Sequence, residues 1–168
     1  MHASYRALGL GKDGASTPIN NPELIETCWS FLISRRMKLP PQSPYGKKPA
    51  CSAFGNDPRA DAALALRHAG STILAARREA KLVATVMVGH DGHRGWVYYL
   101  AVAPAFRRQG VGTMRLRSAE QWCRARGVPK LQLMVRSENV EVASFYAALG
   151  YDKSDGVVLA KWLNSKPD

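Results

Sequence analysis

The feature that most constrains the fold is a strand–helix–strand succession in the second half of the chain. The run Trp96–Val102 is almost wholly apolar or aromatic, which is typical of a strand buried on both faces. A basic turn with two glycines follows it. Residues 110–126 then carry a helical pattern that is stopped by Gly127 and Pro129. With a further strand predicted at 131–135, this order indicates a unit of an α/β sheet.

The preceding segments predict antiparallel pairing. A helix is expected from Asn56 as N-cap to His68, and a hairpin from strands at 72–77 and 82–90. After the strand–helix–strand unit we expect a helix over 140–149 and a last strand over 157–162. These elements together predict an α/β fold with a mixed, mostly antiparallel sheet flanked by helices.

The first 55 residues differ in character from the rest. Residues 39–46 are rich in proline and glycine and are typical of a loop. A helix over 22–36 and a weak strand over 4–8 are the only regular elements that we expect there. We therefore divide the chain into an N-terminal segment, 1–55, with less regular structure, a domain over 56–163, and a C-terminal tail over 164–168.

Length and composition set broad limits. A chain of 168 residues with 46% apolar residues can bury the core of one domain. It lacks an apolar run of the roughly 18 to 20 residues that a membrane span needs, and its first ten residues lack the layout of a secretory signal. The scattered cysteines Cys28, Cys51 and Cys123 fit neither a disulfide framework nor a zinc site. We expect a cytoplasmic protein with reduced thiols and no metal.

The net charge of +11 has two interpretations. It indicates either an anionic partner, such as nucleic acid or a phosphate-rich small molecule, or only a basic proteome. Basic residues are spread along the chain, which argues against a nucleic-acid-binding tail. The local exception is the cluster Arg107, Arg108, Arg115 and Arg117.

The turn from Arg107 to Gly112 has the chemistry of a phosphate-binding turn. Glycine lets the backbone turn sharply and approach a ligand, and the first amides of the next helix point outward at the positive end of its dipole. Such amides can hold a pyrophosphate, with arginines adding charge. A turn of this kind is also compatible with a merely tight connection. The other glycine-rich phosphate motifs are absent, since Arg115 occupies the position of the last glycine in Gly-x-Gly-x-x-Gly.

Two spaced blocks resemble the GNAT superfamily of N-acetyltransferases. Arg107-x-x-Gly110-x-Gly112 matches the [Arg/Gln]-x-x-Gly-x-[Gly/Ala] signature at the strand-to-helix junction. The second block comprises Asn139, Ala143–Tyr146 and Leu149–Tyr151. Further segments are similar to the small bacterial YpeA-like acetyltransferases, namely Val86–Met87, Asp91–Gly95, Tyr98–Leu100 and Arg126–Lys130. The resemblance covers residues 56–163.

This resemblance implies an acetyl-CoA site between two splayed strands. The backbone of Leu100, Ala101 and Val102 would bond the pantetheine amides, and Asn139 would contact the cofactor arm, although it would also suit a helix N-cap. The pyrophosphate would be held by charge from Arg107 and by the amides of Arg108, Gln109, Gly110, Val111, Gly112 and Thr113.

The resemblance also implies a proton donor. Tyr146 would protonate the departing CoA thiolate, while a backbone N–H near Leu100 or Ala101 would face the oxyanion. The general base stays open, because residues 95–106 contain no acidic side chain and Trp96 stands where some relatives have a glutamate. The candidates are His93, Asp91 and Glu138. The alternatives are a water chain to solvent or an amine that arrives already neutral.

The function that follows is transfer of an acetyl group from acetyl-CoA to an amine of a small molecule or protein. The alternative is a catalytically weak, CoA-binding regulatory domain. A basic nucleic-acid-binding protein is disfavoured, because the aromatic residues that would stack on bases, Tyr98 and Tyr99, are expected in a buried strand. Formation of a homodimer is left open.

Overall fold

The computed structural model describes residues 58–79 and 81–163. The loop over 39–46, the helix over 22–36 and the strand over 4–8 lie outside the described residues. Three α-helices and four strands are described: α1 (Pro58–Arg67), β1 (Ser71–Arg78), β2 (Lys81–His90), β3 (Gly95–Val102), α2 (Val111–Arg124), β4 (Leu131–Leu133) and α3 (Val140–Ala147). A short 3-10 turn, Pro104–Phe106, precedes α2.

The four strands form one mixed sheet in the order β1-β2-β3-β4. β1 pairs antiparallel with β2, and β2 pairs antiparallel with β3. β3 pairs parallel with β4, as expected for two strands joined through a helix. The predicted fold class, a mixed and mostly antiparallel sheet with flanking helices, is therefore confirmed.

The ladder between β3 and β4 is short. It joins Gly95 to Leu131, Trp96 to Gln132 and Val97 to Leu133. β3 then runs on to Val102 while β4 has ended, so among the described residues the β4-side edge of its second half has no strand partner. β3 and β4 thus separate after Val97, which leaves a gap in the sheet between them, where splayed strands were predicted.

β3 is distorted in this second half, where its partner among the described strands is β2. Thr85 pairs with Ala101 and Met87 with Tyr98, so Val86 faces two residues, Tyr99 and Leu100. Such a bulge bends the strand and redirects its side chains. Tyr99 has a φ of 52°, which is rare for an aromatic residue. Its hydroxyl donates to the Asp61 carboxylate of α1 at 2.6 Å, which ties the bulge to the helix.

Each face of the sheet packs on a helix. On one face, Leu116, Ala119 and Cys123 of α2 pack on apolar residues of β1, β2 and β3. On the other, Ala62 and Ala65 of α1 pack on Ile73, Leu82 and Met87. The helix boundaries agree with the glycines in the sequence, since Gly127 and Gly150 adopt φ values of 71° and 86° after α2 and α3.

The structure corrects two expectations. No strand forms over 157–162 among the described residues, although the segment is rich in β-branched residues. Its apolar side chains are exposed, to 84% for Val157 and 90% for Leu159. β4 has only three residues, which gives this segment a very short edge on which to pair. β3 is also not buried on both faces, because Tyr98 is 40% exposed.

None of the helices in the described part of the chain is long and apolar enough to cross a membrane.

Candidate functional site

The site begins with the turn between β3 and α2. Ala103 donates its N–H to Val83 O at 2.7 Å, which anchors the end of β3 to β2. The 3-10 turn follows, and Arg107 N donates to Pro104 O at 3.2 Å. Gln109 Nε2 donates to Ala105 O at 2.8 Å and closes the turn from its other end. These bonds hold the turn in one conformation before any ligand arrives.

Gly110 is the N-cap of α2 and adopts the left-handed conformation, with φ 76° and ψ −1°. No side chain caps this helix, although Met114 N donates to Gly110 O at 3.0 Å. The first N–H groups of an α-helix have no partner four residues earlier, so those of Val111, Gly112 and Thr113 face away from the helix body. A Cβ placed on Gly110 would meet no atom within 4 Å, so the space in front of the turn is open.

The two arginines of the turn are exposed. Arg108 has a φ of 59°, and its Nη1 lies 3.8 Å from Glu141 Oε1 of α3. The Arg107 Nε makes a long contact of 3.5 Å with Val102 O. The Arg107 guanidinium therefore lies near the end of β3, and the Arg108 guanidinium lies near α3. From these positions both can add positive charge for an anion at the α2 N-terminus.

The structure separates Arg115 from this cluster. Arg115 is only 6% exposed, and its Nη1 donates to Ala75 O on β1 at 3.0 Å. The expectation that Arg115 belongs to the basic cluster is therefore wrong, because its side chain points from α2 onto the sheet. Sequence spacing placed it four residues after Val111 but did not show that this helix face is the buried one.

The backbone expected to bind the cofactor arm lies at the gap. Ala101 and Val102 pair with β2, and Leu100 lies in the bulge; among the described residues, the other edge of this segment has no strand partner. Gly112 lies beside this strand, since a Cβ on it would be 3.4 Å from Val102 Cγ2 and 3.6 Å from the Phe145 ring. Gly112 of α2 thus lies between the end of β3 and the Phe145 ring of α3.

Asn139 is the N-cap of α3. Its Oδ1 accepts from Val142 N at 3.4 Å, and its carbonyl accepts from Ala143 N at 3.0 Å. The capping role considered from the sequence is therefore observed. Contact between Asn139 and a cofactor stays a prediction.

Tyr146 lies on α3, between two other aromatic rings. Its ring centroid is 5.1 Å from that of Phe145 and 5.7 Å from that of Tyr151, both in edge-on geometry. Tyr146 also packs against the core cluster that contains Leu116. Burial raises the pKa of Tyr146 above 10.0, so its phenol keeps its proton at neutral pH. The role of acid stays a prediction, and the environment is compatible with it.

Tyr151 connects the residues around Tyr146 to α2 through contacts that were not predicted from the sequence. Its hydroxyl donates to Glu120 Oε1 of α2 at 3.1 Å, and its N–H donates to Tyr146 O at 3.1 Å. Burial, followed by the neighbouring Glu120 carboxylate, raises the pKa of Tyr151. The pairing could not be read from the sequence, because the two residues are 31 positions apart.

The carboxylates proposed as bases are poorly suited to accept a proton. Asp91 Oδ1 accepts from Arg94 N at 2.6 Å and from His93 N at 2.8 Å, and these bonds lower the pKa of Asp91. Hydrogen bonds from its own backbone N–H and from the Ser137 hydroxyl likewise lower the pKa of Glu138. His93 is exposed in the β2–β3 turn. His93 and water are therefore the better candidates for the general base.

Comparison with known proteins agrees with this geometry. The acetyltransferase (GNAT) family model matches residues 39–151. The aminoglycoside acetyltransferase AAC(6')-Iy, in complex with a bisubstrate analogue of CoA and acetylneamine, is similar with a TM-score of 0.61 at 16% identity; 84% of this chain and 93% of that one are covered.

Two further solved structures share the fold. A putative acetyltransferase from Agrobacterium tumefaciens str. C58 gives a TM-score of 0.62 at 18% identity and covers 84% of this chain and 96% of its own. The aminoglycoside 6'-N-acetyltransferase AAC(6')-IG from Acinetobacter haemolyticus gives 0.55 at 21% identity, over 70% of this chain and 97% of its own. Taken with the two sequence blocks and the gap beside β3, the family match shows that this chain belongs to the GNAT family of acetyltransferases.

Proposed function

We propose that this protein transfers an acetyl group from acetyl-CoA to an amine. The observation that carries the proposal is the left-handed Gly110 cap, which opens the N-terminus of α2 beside the unpaired half of β3. A helix N-terminus binds phosphate, and an unpaired strand edge offers hydrogen bonds to pantetheine amides. A CoA complex of a protein with this fold, AAC(6')-Iy, supports acetyl-CoA as the cosubstrate.

In this proposal the residues Arg107 to Thr113 bind the pyrophosphate and Leu100 to Val102 bind the pantetheine arm. Asn139 borders the arm at the start of α3. The finer assignment to the YpeA-like acetyltransferases and a cytoplasmic location rest on the sequence alone and are part of the proposal.

The chemistry is addition followed by elimination. The neutral amine attacks the thioester carbonyl carbon, and a C–N bond forms. A backbone N–H of the bulged segment near Leu100 donates to the oxyanion. The C–S bond then breaks and the thiolate takes the Tyr146 proton. The proton of the former amine passes to His93 or to water, and a proton from solvent restores the Tyr146 phenol.

A second candidate is a CoA-binding domain without turnover. This candidate is favoured because the pKa values of Asp91 and Glu138 are lowered. Neither carboxylate is then well suited to accept the proton of the amine. In that case the turn and the gap would still bind CoA, but an amine would not be acetylated.

Acetyl transfer to a panel of amines separates these candidates. The panel combines an aminoglycoside, peptides with a free N-terminus or a lysine, and small diamines. Acetylated product and free CoA are both measured by mass spectrometry, because thiol-reactive dyes would also label the protein's cysteines. Equal amounts of the two products support the proposal. CoA binding without product supports the regulatory domain, and absence of CoA binding contradicts both.

A further inference from the structure

Two aromatic side chains lie side by side on one face of β3. The ring centroids of Trp96 and Tyr98 are 6.5 Å apart, with an angle of 19° between the rings. Gly95 and Val97 face α2, so the alternation along the strand places Trp96 and Tyr98 on the opposite face. α1 packs on β1 and β2 on that face, and Tyr98 is 40% exposed beside it.

These rings lie at the gap between the strands. Trp96 pairs with Gln132 in the β3–β4 ladder, so these two side chains share one face of the sheet. Tyr98 is the first residue of β3 past the last pair with β4, at Val97. The proposed oxyanion position near Leu100 is two residues further on, within the bulge at Tyr99 and Leu100.

A carboxylate accompanies the rings. Asp91 N donates to Arg94 O, which places Asp91 in the turn directly before β3. Burial, followed by the negative charge of Asp91, raises the pKa of Tyr98. Asp91 stays ionised at neutral pH, since its own pKa is lowered. The nearest cation in the turn does not neutralise it, because Arg94 Nη1 is directed at His93, 3.0 Å from its carbonyl oxygen and 3.2 Å from Nδ1.

Aromatic faces and a carboxylate together attract an organic cation. The negative charge of a ring face attracts an ammonium group, and a nearby carboxylate adds to this attraction. The amine that attacks the thioester must be neutral at the moment of attack, so an ammonium group that stays bound at the rings has to be a different amino group from the nucleophile. A substrate with two amino groups separated by a short carbon chain could reach both places, since Tyr98 and Leu100 are two residues apart in β3.

We propose that Trp96, Tyr98 and Asp91 form an acceptor platform that binds the protonated amino group of a substrate carrying two or more amino groups. The second amino group loses its proton to His93 or to water and then attacks the thioester carbonyl carbon. The assignment of this platform as an acceptor site rests on the proposed function, whereas its affinity for a diamine does not.

The test uses the indole N–H signal of Trp96 in the full-length protein labelled with nitrogen-15 at its tryptophans. The signal is assigned by its loss in Trp96→Phe. The probes are 1,4-diaminobutane and butylamine, which share the four-carbon chain and differ in the second amino group. Both are titrated at pH 7 with and without CoA. The diamine is expected to shift the Trp96 signal to saturation with an affinity about threefold or more above that of butylamine.

Two variants test the contributions separately. Tyr98→Leu keeps apolar volume and removes the ring, and Asp91→Asn keeps an acceptor for the N–H groups of the turn while removing the charge. Each should weaken the diamine about threefold or more and leave CoA affinity unchanged. Equal affinity for the two amines, or no shift at Trp96, overturns the platform. If the protein binds the diamine but not CoA, the proposed function is refuted and the platform stands. The two results are separable because the diamine titration without CoA tests the platform by itself.

Discussion

At the scale of single residues, the site is determined by where side chains point. Tyr146 lies against the core between Phe145 and Tyr151, and burial raises its pKa. Tyr146 also packs against the core cluster that contains Leu116. The Tyr151 hydroxyl donates to Glu120, which ties Tyr151 to α2.

Replacing Tyr146 with Phe removes the hydroxyl and keeps the ring, so packing should survive. If the phenol protonates the thiolate, kcat should fall by about 100-fold, while CoA affinity should change little. The acid is active while protonated, and its pKa is raised above 10.0; activity should therefore decline only as the pH rises past that value. That alkaline decline should be absent from the variant. Steady-state rates across pH test this, and an unchanged kcat would make Tyr146 a packing residue.

Arg115 gives a second prediction at this scale. Arg115→Met removes the donor to Ala75 O from a buried position. We expect the free energy of unfolding to fall by about 1 to 3 kcal/mol, as for other buried carbonyls that lose their partner. CoA affinity of the folded variant should stay within about twofold of wild type.

Arg107→Met is the matched control, because its guanidinium is exposed at the turn. It should weaken CoA and leave stability within about 0.5 kcal/mol. Urea unfolding and calorimetric titration measure both quantities. The opposite pattern, with Arg115 affecting CoA and Arg107 affecting stability, would contradict the placement of the two arginines.

At the scale of elements, much of the fold followed from local patterns. The hairpin and the helices were predicted because alternation, caps and the glycines at 127 and 150 are local signals. The turn before α2 was predictable for the same reason, since Gly110 precedes a helical pattern shortly after an apolar strand. The family resemblance added the splayed strands.

Other features depend on contacts that are distant in sequence. The bulge at Tyr99 and its bond to Asp61, 38 positions away, have no local signature. Burial of Arg115 depends on which face of α2 meets the sheet. The segment 157–162 has the composition of a strand, yet pairing also requires an available edge, and β4 is short. Composition alone could not show this.

Hydrogen exchange tests the assignment of this segment. Backbone amides of 157–162 should exchange at rates close to those of an unstructured peptide, because they are in no ladder. Amides of β2, which is paired on both edges, should be strongly protected and serve as the internal standard. Mass spectrometry of proteolytic peptides gives both rates. Protection of 157–162 equal to that of β2 would restore the strand that the sequence predicted.

At the scale of the whole molecule, charge and shape act together. The net charge of +11 provides long-range attraction for an anionic ligand, and the exposed Arg107 and Arg108 concentrate it at the turn. The aromatic pair Trp96–Tyr98 and Asp91 lie at the opposite end of β3. The molecule therefore offers positive charge where a pyrophosphate would bind and negative charge where we place a cationic acceptor.

Salt dependence tests the electrostatic part of this account. Raising NaCl from 50 to 500 mM shortens the screening length several-fold, so the Kd for CoA should increase by about tenfold. Pantetheine, which lacks phosphate groups, should bind with little salt dependence. Calorimetric titrations at the two salt concentrations give both values. A CoA affinity independent of salt would indicate that the positive charge has no part in binding.

The most direct test of the central claim is the affinity of the Gly110 turn for pyrophosphate. CoA and pantetheine are titrated into wild type, Gly110→Val and Gly110→Asn by calorimetry, with folding checked by circular dichroism. Valine disfavours the left-handed φ of 76° and adds bulk in front of the helix, whereas asparagine tolerates that φ. The account predicts that valine weakens CoA by about tenfold or more, that asparagine weakens it less, and that neither changes pantetheine binding. A folded Gly110→Val variant that binds CoA as tightly as wild type would contradict it.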